Sequence, residues 1–132
     1  MAKYDIASDL NVTNALNTAA ITSNTTTNGT GVDLKGYQAV MFVIKSGTLT
    51  DGAYAINVQE SDDNSTFTDA AASDVVGTEP SFALTDDNTA KKVGYVGEKR
   101  YARIQVVSTS VTSGGTIGAV AVRGHADVAP VA

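Results

Sequence analysis

The chain holds one histidine, His125, in the string Arg123-Gly124-His125-Ala126. A Ser-His-Asp or Cys-His nucleophilic centre would have to use it. No nucleophile-elbow pattern surrounds it, and it follows what reads as the last strand. A surface or interface role is therefore expected for His125 in place of a base. Two carboxylate pairs, Asp62/Asp63 and Asp86/Asp87, invite a general acid–base reading. Neighbouring turn or strand residues point apart, so neither pair forms a ready dyad. Asn64 and Asn88 follow these pairs, making oxygen-rich turns a calcium ion could use. The EF-hand spacing is missing, and Asp and Asn are ordinary turn residues, so turn chemistry is the preferred reading. Tyr37, Tyr54, Tyr95 and Tyr101 could stack on a sugar or base. Each also suits a half-buried strand position, and the chain has no tryptophan. Neither Gly29-Thr30-Gly31 nor Ser113-Gly114-Gly115 fits a phosphate cradle. No catalytic, cofactor-binding or metal-ligating residue is expected, and the chain is not expected to be an enzyme.

Composition narrows the partners. The formal net charge is −5 with 17% charged residues. Phosphate neutralisation needs clustered Lys and Arg, and Lys91-Lys92 and Lys99-Arg100 are the basic pairs on offer, so nucleic acid is not an expected partner. No apolar run approaches the roughly 20 residues of a membrane helix. Met1-Ala2-Lys3-Tyr4-Asp5 lacks the apolar region of a secretory signal, so neither export nor a membrane is expected. With no cysteine there is no disulfide scaffold and no thiolate zinc site. A chain of 132 residues fits one domain with a self-sufficient core.

The elements that would position these residues read as strands. Ala39 to Lys45 is a nearly continuous apolar run, as expected of a central strand covered on both faces. Ala53 to Glu60 alternates, with Tyr54, Ile56 and Val58 inward. Tyr101 to Val106 alternates too: Ala102, Ile104 and Val106 face the core, while Tyr101, Arg103 and Gln105 face out or into an interface. Phe67 re-enters the core after the Asp62–Ser65 turn. Gly97-Glu98-Lys99 and Ser113-Gly114-Gly115 read as hairpin turns, and Val120 and Val122 share one face. About seven or eight strands at this spacing make an all-β antiparallel sandwich, jelly-roll or Ig-like. The composition shifts at Val32. Residues 1–31, rich in Asn and Thr with Leu16 and Ile21 as isolated anchors, read as an N-terminal arm or edge strand. Residues 32–125 form the sandwich and 126–132 a tail.

Several stretches resemble a family of small virion proteins of tailed bacteriophages. They are Val32-Asp33-Leu34-Lys35-Gly36-Tyr37, Gln59-Glu60-Ser61-Asp62-Asp63, Gly77-Thr78-Glu79-Pro80, Lys91-Lys92-Val93-Gly94-Tyr95-Val96-Gly97 and Lys99-Arg100-Tyr101-Ala102-Arg103-Ile104. The resemblance implies a head decoration, or cement, protein that binds the outer capsid lattice and stabilises the head. The implied partners are the major capsid protein and other copies of the chain, with a trimer favoured. The implied location is the capsid surface of a virion assembled in the bacterial cytoplasm. Interface positions are then expected at Leu16, Ile21, Tyr37, Tyr101, Arg103 and His125. The alternative is a carbohydrate- or receptor-binding module of a phage tail or baseplate. The strings Ser61-Asp62-Asp63 to Phe67 and Arg100-Tyr101 to Ile104 also resemble the discoidin-type jelly roll, which places Trp where Phe67 stands. A glycan reader needs exposed tyrosines clustered in a groove, whereas a cement protein needs a broad, shallow, partly apolar base.

Overall fold

Alternation of apolar and polar residues, broken by Gly, Asn and Asp turns, produces two antiparallel sheets packed face to face. The computed structural model describes residues 2–128. One sheet holds β1 (Asn11–Ile21), β11 (Gly115–Ala126), β4 (Tyr37–Leu49), β9 (Ala90–Tyr95) and β7 (Val75–Val76), in that spatial order. The other holds β2 (Thr26–Asn28), β10 (Tyr101–Thr109), β5 (Ala53–Ser61) and β6 (Thr68–Asp69). β3 (Val32–Asp33) pairs with β10, and β8 (Ser81–Phe82) with β5. Eight of these strands interleave as β1-β11-β4-β9 against β2-β10-β5-β8, the winding of a jelly roll. The β-sandwich expectation holds. The strand number is eleven among the described residues, because two-residue strands such as β3, β6 and β7 are too short to show a period.

The core lies between the sheets. Val40, Phe42 and Ile44 of β4 and Val93 and Tyr95 of β9 meet Tyr54, Ile56 and Val58 of β5 and Ala102, Ile104 and Val106 of β10. Ala15, Leu16 and Ile21 of β1 and Ile117, Ala119 and Ala121 of β11 complete it. No buried side-chain N or O among the described residues lacks a hydrogen-bond partner.

Three expectations change. First, of the two readings of residues 1–31, arm or edge strand, β1 and β2 take the second, and the sandwich begins ahead of the expected boundary at Val32. β1 is an edge strand with a register of eight pairs to β11, and Leu16 and Ile21 are buried in their own core, so neither is a surface anchor. The Thr-rich stretch after β1 is tied down as well. The Ser108 N–H donates to the Thr25 carbonyl (2.9 Å), Gly29 N–H to Ile104 (2.8 Å) and Thr30 N–H to Ala15 (2.8 Å). A Cβ on Gly29 would lie 2.4 Å from the Ala15 oxygen, so only glycine fits between these strands. Second, Gly97-Glu98-Lys99 and Ser113-Gly114-Gly115 do not close hairpins. β9 pairs with β4 and β7, β10 with β5, and β11 with β1 and β4, so both turns carry the chain from one sheet to the other. Third, of the expected tail, Ala126 closes β11 and Asp127 donates its N–H to Gly36 O (2.8 Å). Residues 129–132 lie outside the described residues.

Candidate interaction surfaces

The apolar run of β4 is covered on one side only. Val40, Phe42 and Ile44 enter the core, while Ala39, Met41 and Val43 point away from it and stay half-exposed. The two-sided burial expected of this strand is absent, because among the described residues no layer lies over Ala39, Met41 and Val43. Register extends the exposure across the whole sheet. Val12 of β1 opposes Val122 of β11, Val122 opposes Met41, Met41 opposes Gly94 of β9, and Gly94 opposes Val76 of β7. Val12 and Val76 are 63% and 55% exposed. The next row runs Asn14, Val120, Val43, Lys92. Outward positions on these strands carry Lys45 and Lys92 but no carboxylate.

Two shallow hollows flank the rows. One, about 500 Å³, is lined by Leu10, Met41, Val122, Gly124 and His125 among others; the second, about 370 Å³, by Thr18, Val43, Lys45 and Val120. At Gly118 a Cβ would lie 2.1 Å from Thr18 Oγ1, so the glycine lets the bulged edge strand β1 lean onto β11. Leu10 reaches over Gly124, where a Cβ would come within 2.9 Å of Leu10 Cδ2. The segment ahead of β1 therefore leaves the molecule beside this face.

The outer face of the six-stranded sheet has a different chemistry. Gln105 Nε2 donates to Asn28 Oδ1 (2.8 Å), and Asn57 Nδ2 donates to Gln105 Oε1 (3.3 Å), forming an amide ladder across three strands. Arg103 Nε donates to Gln59 Oε1 (2.9 Å), and Gln59 Nε2 to Asp69 Oδ1 (3.0 Å). The Arg103 guanidinium lies 4.0 Å from the Phe67 ring centroid. Phe67 therefore caps this outer face, contrary to the expectation that it enters the core.

At one end of the sandwich, Arg123 sits over the Tyr37 ring (4.4 Å) and donates to Asn11 Oδ1 (3.0 Å) and to the Asp33 carbonyl (2.8 Å), joining both sheets. Asp33 accepts two bonds from Arg100 (2.9 and 2.8 Å), and that guanidinium holds its carboxyl down at about 2. At the β4–β5 turn, Asp51 accepts the N–H groups of Thr112, Ser113 and Gly114 (2.9–3.1 Å). Those bonds hold its pKa below the usual carboxylate value and lock two inter-sheet crossings together.

The expected site residues do not converge. Tyr101 lies beside Arg100, 5.0 Å from guanidinium to ring centroid, Arg103 is on the amide face, and His125 is exposed at φ +48°. The acidic turns are occupied by their own chain. Asp63 accepts from Ser65 and Thr66 N–H (2.9 and 3.0 Å), and Asp86 from Ala83 N–H (2.8 Å). Among the described residues no group of three His, Asp or Glu is placed to hold a metal ion, and no helix is long and apolar enough to cross a membrane. The tyrosines do not form a stacking platform. Tyr54 and Tyr95 are core residues, and Tyr37 and Tyr101 each face an arginine. Sequence reasoning missed Val12, Met41, Val43 and Val76 as surface residues. The signal was present in the β4 apolar run, which reads as doubly buried unless an outer layer is lacking.

Among solved structures, the chain is similar to the crystal structure of PBSX exported protein XepA, with a TM-score of 0.58 at 18% sequence identity. The match covers 89% of this chain and 38% of that one, so the chain spans well under half of its neighbour's length. The likeness is one of fold. No family model matches the chain, and no curated protein matches it.

Proposed function

We propose that this chain is a structural protein of a phage particle, which binds the outer surface of the capsid lattice and stabilises the head as a decoration protein. The carrying observation is the apolar row Val12–Val122–Met41–Gly94–Val76, open across an entire sheet. A wide, shallow face of this kind, with no carboxylate at its outward strand positions and Asp9 at its margin, suits a protein contact better than a substrate cleft. The phage context is what the sequence stretches at residues 32–37, 59–63 and 91–104 imply by their resemblance to small virion proteins. In this reading the protein is not an enzyme; its partners are the major capsid protein and further copies of itself. It acts by linkage: a ligand that binds only the intact lattice stabilises it by RT ln(1 + [L]/Kd) per site. A glycan-binding role in a tail or baseplate is the weaker reading, since four of the five tyrosines are buried or face an arginine. Immunogold labelling of purified particles with an antibody to this chain tests the proposal. Gold distributed over the head is the expected result; gold confined to the tail, or none, contradicts it.

A further inference from the structure

The row on the five-stranded sheet ends near a second set of uncovered apolar groups. Tyr4 and Ile6, 92% and 67% exposed, stand on the segment that leaves this face past Leu10. That segment is shaped, not formless. Asp5 accepts the Ala7 N–H (2.8 Å) and opens a short 3-10 turn at Ala7–Asp9. Among the described residues both side chains stand exposed, and the row itself stays open apart from Leu10 at its Gly124 margin. We propose that the two belong together between molecules: the Tyr4–Ile6 segment of one copy lies on the Val12–Val122–Met41–Gly94–Val76 row of another, and the exchange closes a homo-oligomer. The inference rests on the reading of this face as a protein contact, and it names the protein.

Area and charge favour a second copy. Five strands about 4.8 Å apart, over some six residues of strand, give an open face of roughly 400–500 Å². A standard stable interface buries about 800 Å² per partner, so the flat face alone falls short. An inserted tyrosine adds about 150–250 Å², and in a closed exchange each copy contributes both an arm and a face. The chain is acidic overall, at −5, while the outward strand positions of this face carry two lysines and no carboxylate. Another copy is therefore met by attraction here, where elsewhere like charges oppose it.

The test is the mass of the full chain in solution by sedimentation, without capsids, so a failure of the lattice reading leaves it unaffected. At about 100 μM, a hundredfold above a micromolar Kd, the wild-type chain should be oligomeric. An arm variant, Tyr4→Ser/Ile6→Ser, and a face variant, Val12→Lys/Val120→Lys, should each raise Kd at least about tenfold. All four side chains are exposed, and circular dichroism with the single Val12→Lys variant guards against a folding defect. Mixing the two variants should restore a one-to-one pair, since one still has the face and the other the arm. A monomeric wild type, assembly indifferent to either variant, or two defective variants that do not complement would each overturn the proposal.

Discussion

The two sheets share one core and turn opposite chemistries outward. On the six-stranded sheet the outward amides and Arg103 find partners within the chain: Asn28, Gln105 and Asn57 pass hydrogen bonds along, and Arg103 lies between Gln59 and Phe67. On the five-stranded sheet the outward apolar groups Val12, Val122, Met41, Val43, Val120 and Val76 stand among Asn14, Lys45 and Lys92 and keep part of their surface in water. A face that satisfies itself is finished in the monomer. The apolar row that crosses the five strands has the size of a monomer's largest patch, and such a patch is often a functional one. The proposed protein-contact role rests on that difference.

The comparison breaks most heavily in the shared core. Phe42→Ala, from the five-stranded sheet, and Ile104→Ala, from the six-stranded one, should cost about 3–5 and 2–5 kcal/mol in urea unfolding. Gln105→Ala, one residue away but outward, should change stability by under about 0.5 kcal/mol. Equal losses at Ile104 and Gln105 would show that the register of β10 is wrong. On the finished face, Arg103→Ala removes the Phe67 stack and the Gln59 bond, and a loss of about 1–2 kcal/mol is expected by the same measurement.

That β10 register was legible in the sequence because strict alternation over Tyr101–Val106 admits one assignment of faces. The β5 residues Tyr54, Ile56 and Val58 were legible for the same reason. What failed were partners and layers. Gly97-Glu98-Lys99 and Ser113-Gly114-Gly115 carry genuine turn chemistry, but a reversal into the same sheet and a crossing to the other use similar residues. Only long-range pairing separates them, and contacts such as Asp51 with Ser113 are distant in sequence. Likewise the Thr and Asn of residues 11–28 left arm and edge strand both open, because the inward residues of β1, Ala15, Leu16 and Ile21, are spaced by register shifts at Asn14/Leu16 and Leu16/Ala19 instead of a period of two. The Met41 and Val43 side of β4 was read as buried because an apolar strand residue looks the same whether its cover is its own chain or another.

Acid sharpens the account of how the inter-sheet crossings are held. Asp33, held down by Arg100, and Asp51, held down by the backbone N–H groups of Ser113, Gly114 and Thr112, both have lowered pKa values. A carboxylate depressed in the folded state stabilises it above its unfolded value near 3.9, and that contribution is lost as pH falls through the folded value. Melting temperature should therefore be flat above about pH 5 and fall between about pH 4 and 2. Asp51→Asn should lower it at neutral pH and make the acid limb shallower. An unaltered limb would mean that the Asp51 clamp contributes nothing. The smallest effect is expected from a chelator: EDTA should leave the melting temperature unchanged. A fall of several degrees, reversed by calcium, would move Asp62, Asp63, Asp86 and Asp87 from turn chemistry to a binding site.

The open face carries its own reporter. Met41 sits at the centre of the valine row and, with Met1, is one of two methionines in the chain. Peroxide converts an accessible methionine to its sulfoxide, and mass spectrometry reads the rate at each position. If the outer face of the five-stranded sheet is where this protein meets another protein, oxidation of Met41 should slow as the chain is concentrated into its assembled range. It should return to the dilute rate in the Val12→Lys/Val120→Lys variant. A Met41 rate that is the same at every concentration and in both proteins would show the face to be open water, and would contradict the account.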